Sequence, residues 1–329
     1  MSKLSPRESG KLIAANSKHV TVHRNSTAAK EIFQRMKEQK YSRSLWKQWP
    51  LHPKNLTKET VDWIFVVDSL NFSFWLAGEK QFQLEYNGKV YEDYEALCAA
   101  INRALDEGVA ITTPAYYKNI TLDEINHVFR SCNGTVLPLL EQRQKNLNEA
   151  GKILCEKYNG SFSNLLLECD HDVNHVIQKV THHFTSFRDE ATFDEQTVCF
   201  YKRVQILIAD MWACFDAQSF GEFHNIELLT MFADYRVPQA LLALNLLSYS
   251  EELMCKLQNN VQIPSNSREE MEIRGCSIHA VEILREEIAK LNESTVHSLM
   301  LDFYLWDFAT QNPEKMKGFP EHRTRSTFY

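Results

Sequence analysis

No two cysteines in this sequence stand close enough to form a CxxC pair. The eight, at Cys98, Cys132, Cys155, Cys169, Cys199, Cys214, Cys255 and Cys276, are scattered singly. That spacing argues against a zinc ribbon, a thioredoxin-like redox pair and a disulfide-stapled scaffold. Several fall on apolar faces, where a free thiol packs as a small hydrophobe. A reducing compartment is therefore expected, cytosol or nucleus. Long apolar runs are missing too. The longest, around Trp63–Val67 and Ala240–Leu247, fall far short of the roughly 20 residues of a membrane helix. Met1-Ser2-Lys3-Leu4-Ser5-Pro6 also lacks the apolar core of a secretory leader. The expectation is a soluble protein with no membrane partner.

Glycine is scarce, with 10 in 329 residues, and no Gly-rich phosphate loop, GxSxG elbow or HExxH metal motif occurs. Positive charge is also short: 36 Lys and Arg stand against 43 Asp and Glu, a net charge of −7. A duplex-binding protein needs many cations to neutralise phosphates, so no stable nucleic-acid complex is expected. A single nucleotide is not excluded, because one phosphate needs only a local cationic pocket.

What is present is apolar residues, 44% of the chain, enough to bury a large core. No internal repeat or low-complexity linker interrupts it, so residues 1–329 are read as a single unit. Ser5-Pro6-Arg7-Glu8 can start a helix, with Ser5 as cap and Pro6 in the first position. After Ser26, Thr27–Lys40 carries Ile32, Phe33 and Met36 at helical spacing. Ser42–His52, with Trp46, Trp49 and Pro50, reads as an irregular aromatic connector. Thr57–Trp75 is apolar and of ambiguous period, its start favouring helix. Phe82–Tyr86 and Lys89–Tyr91 flank Asn87-Gly88, which predicts a type I′ hairpin. Further helices are predicted over Tyr94–Glu107, from a Thr121–Glu124 capping box, and over Leu137–Tyr158, Asp172–Phe184, Gln196–Phe215, Ile226–Phe232, Pro238–Leu247, Glu269–Leu291 and Thr295–Thr310. The fold class is mainly α with one small β-hairpin.

Four stretches carry candidate chemistry. In Met300–Phe308, Asp302 and Asp307 interrupt an apolar and aromatic helix. Leu299, Phe303, Trp306 and Phe308 leave Asp302 little polar face to escape to, although solvent-facing or capping acids are the simpler reading. Asp234-Tyr235-Arg236 joins two apolar stretches and suits either a helix-junction ion pair or a binding loop. Lys202-Arg203 heads the apolar run Val204–Ala213 and can face an anion or merely partner nearby acids. The His171, His175, His182 and His183 stretch reads as a polar helix face rather than a metal site, and no metal is expected. The tail His322–Arg325 is a further cationic candidate, with terminal packing as the plain alternative.

Several of these stretches together resemble the queuosine-salvage family: Asp68–Trp75, Phe232–Gln239, Glu272–Ser277, Leu301–Asp307 and Met316–Arg325. The resemblance runs from Leu4-Ser5-Pro6-Arg7-Glu8-Ser9 to Tyr329. It implies a compact helical fold related to DNA glycosylases, acting on a free nucleotide without metal or organic cofactor; a monomer is expected. The implied activity is hydrolysis of the N-glycosidic bond of queuosine 5′-phosphate, which releases queuine for reuse in tRNA modification. It points to Asp302 as the carboxylate beside the anomeric carbon, with Asp307 as a second acid. An N-glycoside breaks through an oxocarbenium-like sugar that a carboxylate stabilises or traps. The leaving base has carbon where guanine has N7, so it must be held by hydrogen bonds rather than expelled by protonation there. Asp234 is the candidate acceptor for its N–H edge, Phe232 its wall, and His52 a contact to the base or its cyclopentenediol. Phe303 would line the pocket, and Lys202, Arg203 and Arg236 are candidates for the 5′-phosphate. His279 stands where a Trp is expected in a relative, a change in packing or pocket polarity. Two other readings stay open on the residues alone: a non-catalytic carrier of queuine or its nucleotide, and a DNA or tRNA glycosylase, which the acidic charge disfavours.

Overall fold

Side-chain caps set the helix starts. In the computed structural model, which describes residues 3–76, 78, 81–291 and 296–329, α1 (Pro6–Ala15) opens on Ser5. Its hydroxyl accepts the Glu8 N–H, Glu8 reaches back to the Ser5 N–H, and Pro6 sits in the first turn. β1 (Val20–Val22) precedes α2 (Ser26–Glu38), whose cap is Asn25, so the helix takes in Ser26 as well. The aromatic connector contains a 3-10 turn at Arg43–Gln48. α3 (Lys58–Leu70) then buries nearly every residue. Residues 71–76 do not continue it: the Leu70 and Phe72 carbonyls accept from the buried Arg143 guanidinium, as does Ser73 at 3.1 Å, in place of helical N–H groups.

The expected hairpin forms as β2 (Gln83–Tyr86) and β3 (Lys89–Glu92), with Asn87 and Gly88 both at positive φ, 51° and 73°. Next come α4 (Asp93–Asp106), α5 (Pro114–Tyr117), and α6 (Leu122–Val128) behind its Thr121–Glu124 capping box. They are followed by α7 (Leu140–Lys157), α8 (Phe162–Leu167) and α9 (Val173–His183).

The predicted helix over Gln196–Phe215 is two elements. β4 (Glu190–Phe193) pairs with β5 (Gln196–Cys199) around a turn in which Asp194 and Glu195 take positive φ. Tyr201, also left-handed, breaks the chain before α10 (Lys202–Cys214). The predicted helix over Ile226–Phe232 is likewise not one. After a single 3-10 turn at Ile226–Leu228 the chain extends, and side chains from other helices satisfy its N–H groups. α11 (Arg236–Ala243) starts two residues earlier than expected and stops short of Leu247, the chain turning at Asn245, φ 54°. Leu247 belongs instead to β6 (Leu247–Tyr249), which pairs with β1. α12 (Glu251–Gln258), α13 (Arg268–Leu291) and α14 (Ser298–Gln311) complete the order. Thr295, the expected start of the last helix, and Met1 and Ser2 of the N-terminal segment lie outside the described residues. The fold is thus mainly α, with three two-stranded antiparallel sheets among the described residues where the sequence suggested one.

The longest helix, α13, is the central column: α1, α2, α11 and α14 pack on it, while α10 packs on α3 and α9. α10 is buried on all sides. Apolar contacts connect Ile13 to Met316 in one core. No helix of the described residues is long and apolar enough to cross a membrane. The eight cysteines are all free thiols.

α1 meets α13 through two glycines. A Cβ on Gly10 would stand 2.9 Å from the Gly275 carbonyl, and one on Gly275 would stand 2.5 Å from Ile13 Cδ1. Gly275→Ala is therefore expected to lose about 1–3 kcal/mol to overpacking, offset in part by about 1 kcal/mol of helix propensity. A lowered urea midpoint at constant slope checks this. An unshifted midpoint would show that Ile13 swings clear.

Candidate active site

α14 brings its two acids to one place. Asp302, Phe303, Trp306, Asp307, Ala309 and Thr310 all line a cavity of about 750 Å³. Residues 302, 306 and 310 and residues 303 and 307 form two adjacent i, i+4 rows, with Ala309 flanking the first, so a broad face of the helix looks into the cavity. The five-residue offset of Asp302 and Asp307 places them on neighbouring rows of that face. Asp302 is buried, and its Oδ1 accepts the Phe232 N–H at 2.8 Å. Burial, then the neighbouring Asp234, pushes its pKa well above the carboxylate range, against the lowering by the Phe232 hydrogen bond. Asp307 accepts the Tyr41 hydroxyl at 2.5 Å. Burial raises its pKa, and the Tyr41 hydrogen bond opposes the rise.

The second wall is segment 229–235, which runs without helix or strand into the start of α11. Gln205 on α10 accepts the Thr230 N–H at 2.8 Å, Asp302 accepts from Phe232, and Arg274 on α13 donates to the Ala233 carbonyl at 3.0 Å. Asp234 closes the segment by capping α11: its Oδ1 accepts both the Arg236 and the Val237 N–H, at 2.9 and 3.0 Å. With Oδ1 so engaged, Oδ2 is the oxygen left for the cavity that Asp234 lines. Burial raises the Asp234 pKa, opposed first by Lys202. The Phe232 ring meets Phe303 edge-on at 6.0 Å.

The adjacent cations part company. Lys202, at the start of α10, lines the cavity and donates to the Asn71 carbonyl at 3.4 Å. Burial lowers its pKa, while Asp234, Asp68 and Asp302 hold it up. Arg203 does not line the cavity. Its guanidinium donates to the Ser69 carbonyl at 2.6 Å and to the Ser186 carbonyl, and stacks on Phe187 at 4.6 Å. One residue is about 100° of helix rotation, which turns Arg203 into the packing between α10 and α3, away from any phosphate in the cavity. Arg236 lines the cavity but is paired with Asp93 at 3.0 Å and Glu321 at 3.3 Å. His52 lies on the wall with Nδ1 2.9 Å from the Trp46 carbonyl and Nε2 3.0 Å from the Tyr94 hydroxyl. Burial takes its pKa down to about 4, so the ring is neutral.

Two buried acids were passed over in the sequence. Asp210 of α10 lines the cavity, and its pKa rises to about 7 through burial. Asp68 of α3 is fully buried, with neither carboxyl oxygen hydrogen-bonded among the described residues. Burial and Asp210 push its pKa far up. Each is a carboxylate set in an apolar run, the same signal that singled out Asp302.

The remaining candidates lie elsewhere. His171 approaches the Glu222 carbonyl at 2.9 Å, and His182 packs edge-on against His183. Among the described residues no set of three or more His, Cys, Asp and Glu is arranged to hold a metal. The tail supports the wall: Arg325 stacks on Trp75 at 3.6 Å and donates to its carbonyl, and Ser73 donates to the Tyr329 carbonyl at 2.9 Å. His279, half-buried on α13 near Glu286, Glu282 and Lys11, is not a lining residue, so the departure at that position leaves pocket polarity alone.

Residues 51–329 match the family described as Queuosine salvage protein. The chain is 45% identical to "Queuosine 5′-phosphate N-glycosylase/hydrolase" of Nematostella vectensis, over 98% of both chains. It is 41% identical to the protein of that name from Mus musculus, over 99% of both. With that from Schizosaccharomyces pombe the identity is 40%, over 92% of this chain and 91% of the relative.

Proposed function

The chain belongs to the queuosine salvage protein family, and from that membership we infer that it is an N-glycosyl hydrolase. Its substrate is queuosine 5′-phosphate, and the released queuine returns to tRNA modification. The observation that carries a mechanism is that Asp302 and Asp234 line one cavity, each fixed by backbone N–H groups: Asp302 by Phe232, Asp234 by Arg236 and Val237 at the start of α11.

As the C1′–N9 bond breaks, its electron pair leaves with the base and positive charge develops on the sugar. Asp302, ionised, faces that charge, and water adds its hydroxyl to C1′ while the proton it gives up ends on the departed base. Asp234 takes the N–H edge of the base through its free oxygen, and Phe232 walls the base plane. Lys202, lying among Asp234, Asp68 and Asp302, offers N–H groups to the charge developing on the base. Asp307, held by Tyr41, is placed to orient ribose or water, and Phe303 closes the pocket beside Asp302. Arg236 organises the rim through Asp93 and Glu321. We propose further that 1–329 acts as a single domain, monomeric, in cytosol or nucleus, on the free nucleotide rather than on polynucleotide. A relationship to DNA glycosylases is part of the same reading.

Incubation with queuosine 5′-phosphate, followed by mass spectrometry, should show queuine and ribose 5-phosphate. Unchanged nucleotide after a long incubation would make the protein a carrier instead. The pH dependence has a definite sign. Asp302 must be ionised, and its pKa is raised, so the active form is lost as pH falls through a value above the ordinary carboxylate range. Turnover at saturating substrate should therefore drop on the acid side well before an exposed aspartate near ~4 would protonate. A rate that held constant down to about pH 4 would remove an ionised Asp302 from the reaction.

A further inference from the structure

One end of the cavity has no part in the proposed bond cleavage. Trp46, Trp49, His52, Tyr94 and Trp306 line it together with Asp210. They form a connected set. Trp46 stacks on His52 with ring centres 4.0 Å apart, and Trp49 lies 5.9 Å from His52 and 5.7 Å from Trp306. Tyr94 is hydrogen-bonded to His52 at 3.0 Å. Asp210 lines the same cavity as Trp46 and Tyr94, and its charge acts on the Tyr94 hydroxyl. It is 6% exposed, so its carboxylate is almost wholly withdrawn from water. Because His52 is neutral, it is a wall and not a competing cation.

The charge around the cavity points the same way. Among the described residues seven acids line it (Glu92, Asp93, Glu95, Asp210, Asp234, Asp302 and Asp307) against three cations, Lys202, Arg236 and Lys317. Arg236 is already paired with Asp93. Lys202 faces Asp234, Asp68 and Asp302. A cavity with that surplus of acid suits a ligand carrying a cation of its own in addition to its phosphate. Aromatic faces and one buried carboxylate are the means by which proteins hold an alkylammonium, through ring quadrupoles and a counter-ion.

We propose that this end is an alkylammonium subsite, with Asp210 as counter-ion and Trp46, His52 and Tyr94 as walls, which selects bases bearing an aminomethyl cation at the 7-position. The inference rests on the proposed function, since queuine carries a secondary amine one carbon from its 7-deazaguanine ring. It makes Asp210 a specificity determinant rather than a participant in bond cleavage. An uncharged 7-substituent of the same size would lack both the ion pair and the attraction to the ring faces.

Titration calorimetry with two free bases tests this without reference to turnover. 7-Aminomethyl-7-deazaguanine and 7-methyl-7-deazaguanine differ by the ammonium group. The wild-type protein should bind the aminomethyl base about tenfold or more tightly than the methyl base, and Asp210→Asn should shrink that ratio to about threefold or less. Equal binding of the two bases by the wild type, which needs no variant, would overturn the proposal. So would an Asp210→Asn variant that keeps the wild-type ratio. Failure of the hydrolytic reading shows separately, as no queuine released from the nucleotide, and leaves the binding ratio standing or falling by itself.

Discussion

Replacing Asp302 with asparagine is expected to slow turnover of queuosine 5′-phosphate about a thousandfold, with no loss of thermal stability. The two halves of the expectation have different origins. Asparagine keeps an oxygen where the Phe232 N–H donates at 2.8 Å, so segment 229–235 stays in place. It loses the negative charge that a developing oxocarbenium needs. Stability should hold or rise, because the native carboxylate is buried beside Asp234 and disfavoured in its charged form. Steady-state kinetics and a thermal scan check both halves. A variant with normal turnover would take Asp302 out of the reaction. One that melts much lower would make its role structural.

Arg274→Met should give the largest loss of stability, about 3–5 kcal/mol. Arg274 is buried on α13, bonded to both oxygens of Asp189 at 2.9 and 2.6 Å, with Glu270 at 3.4 Å. Its guanidinium lies between the Phe200 and Tyr329 rings, at 4.1 and 4.2 Å. Methionine fills the space but leaves two buried carboxylates without a counter-charge, and removal of one partner is the costly way to break such a group. The melting point should fall by roughly 6–15 °C. Arg274→Lys should fall between, since an ammonium keeps the charge but loses the planar fork. Because Arg274 also holds the Ala233 carbonyl next to Asp234, surviving Arg274→Met protein should show a raised KM. A melting point within about 2 °C of wild type would mean that Asp189 and Glu270 take up protons at little cost.

These residues also mark how far the sequence could be read. Helix starts were legible where the cap is local: Ser5 with Glu8, and Thr121 with Glu124, satisfy N–H groups within one turn. The Asn87-Gly88 hairpin was legible for the same reason. The Asp194-Glu195 hairpin was not, because Glu195 is no turn former and does not advertise the positive φ it adopts. Nor was the pairing of Val20 with Tyr249, which depends on distant contacts. Ile226–Phe232 looks helical by its apolar spacing, yet the Thr230 and Phe232 N–H groups bond to Gln205 and Asp302, partners that no local pattern reveals. Within the site, Asp302 stood out as an acid with no polar face to occupy. Asp68 and Asp210 carried that signal equally and went unread. Lys202 and Arg203 were indistinguishable as neighbours, and only the rotation of α10 against α3 decides which one reaches the cavity.

Residues 71–76 and the tail meet across a long stretch of sequence. Ser73 bonds to the Ser326 carbonyl over 253 positions, as well as to Tyr329, and Tyr329 itself lines the cavity. Contacts so far apart close late in folding, after local helices have formed. During synthesis the chain emerges from its N-terminus, and α1 to α13 can assemble before residue 329 leaves the ribosome. The wall against Phe72 and Phe74 has to wait for it. A nascent chain can therefore hold most of its core and still lack one wall of the pocket until Ser326 and Tyr329 have emerged and docked on Ser73.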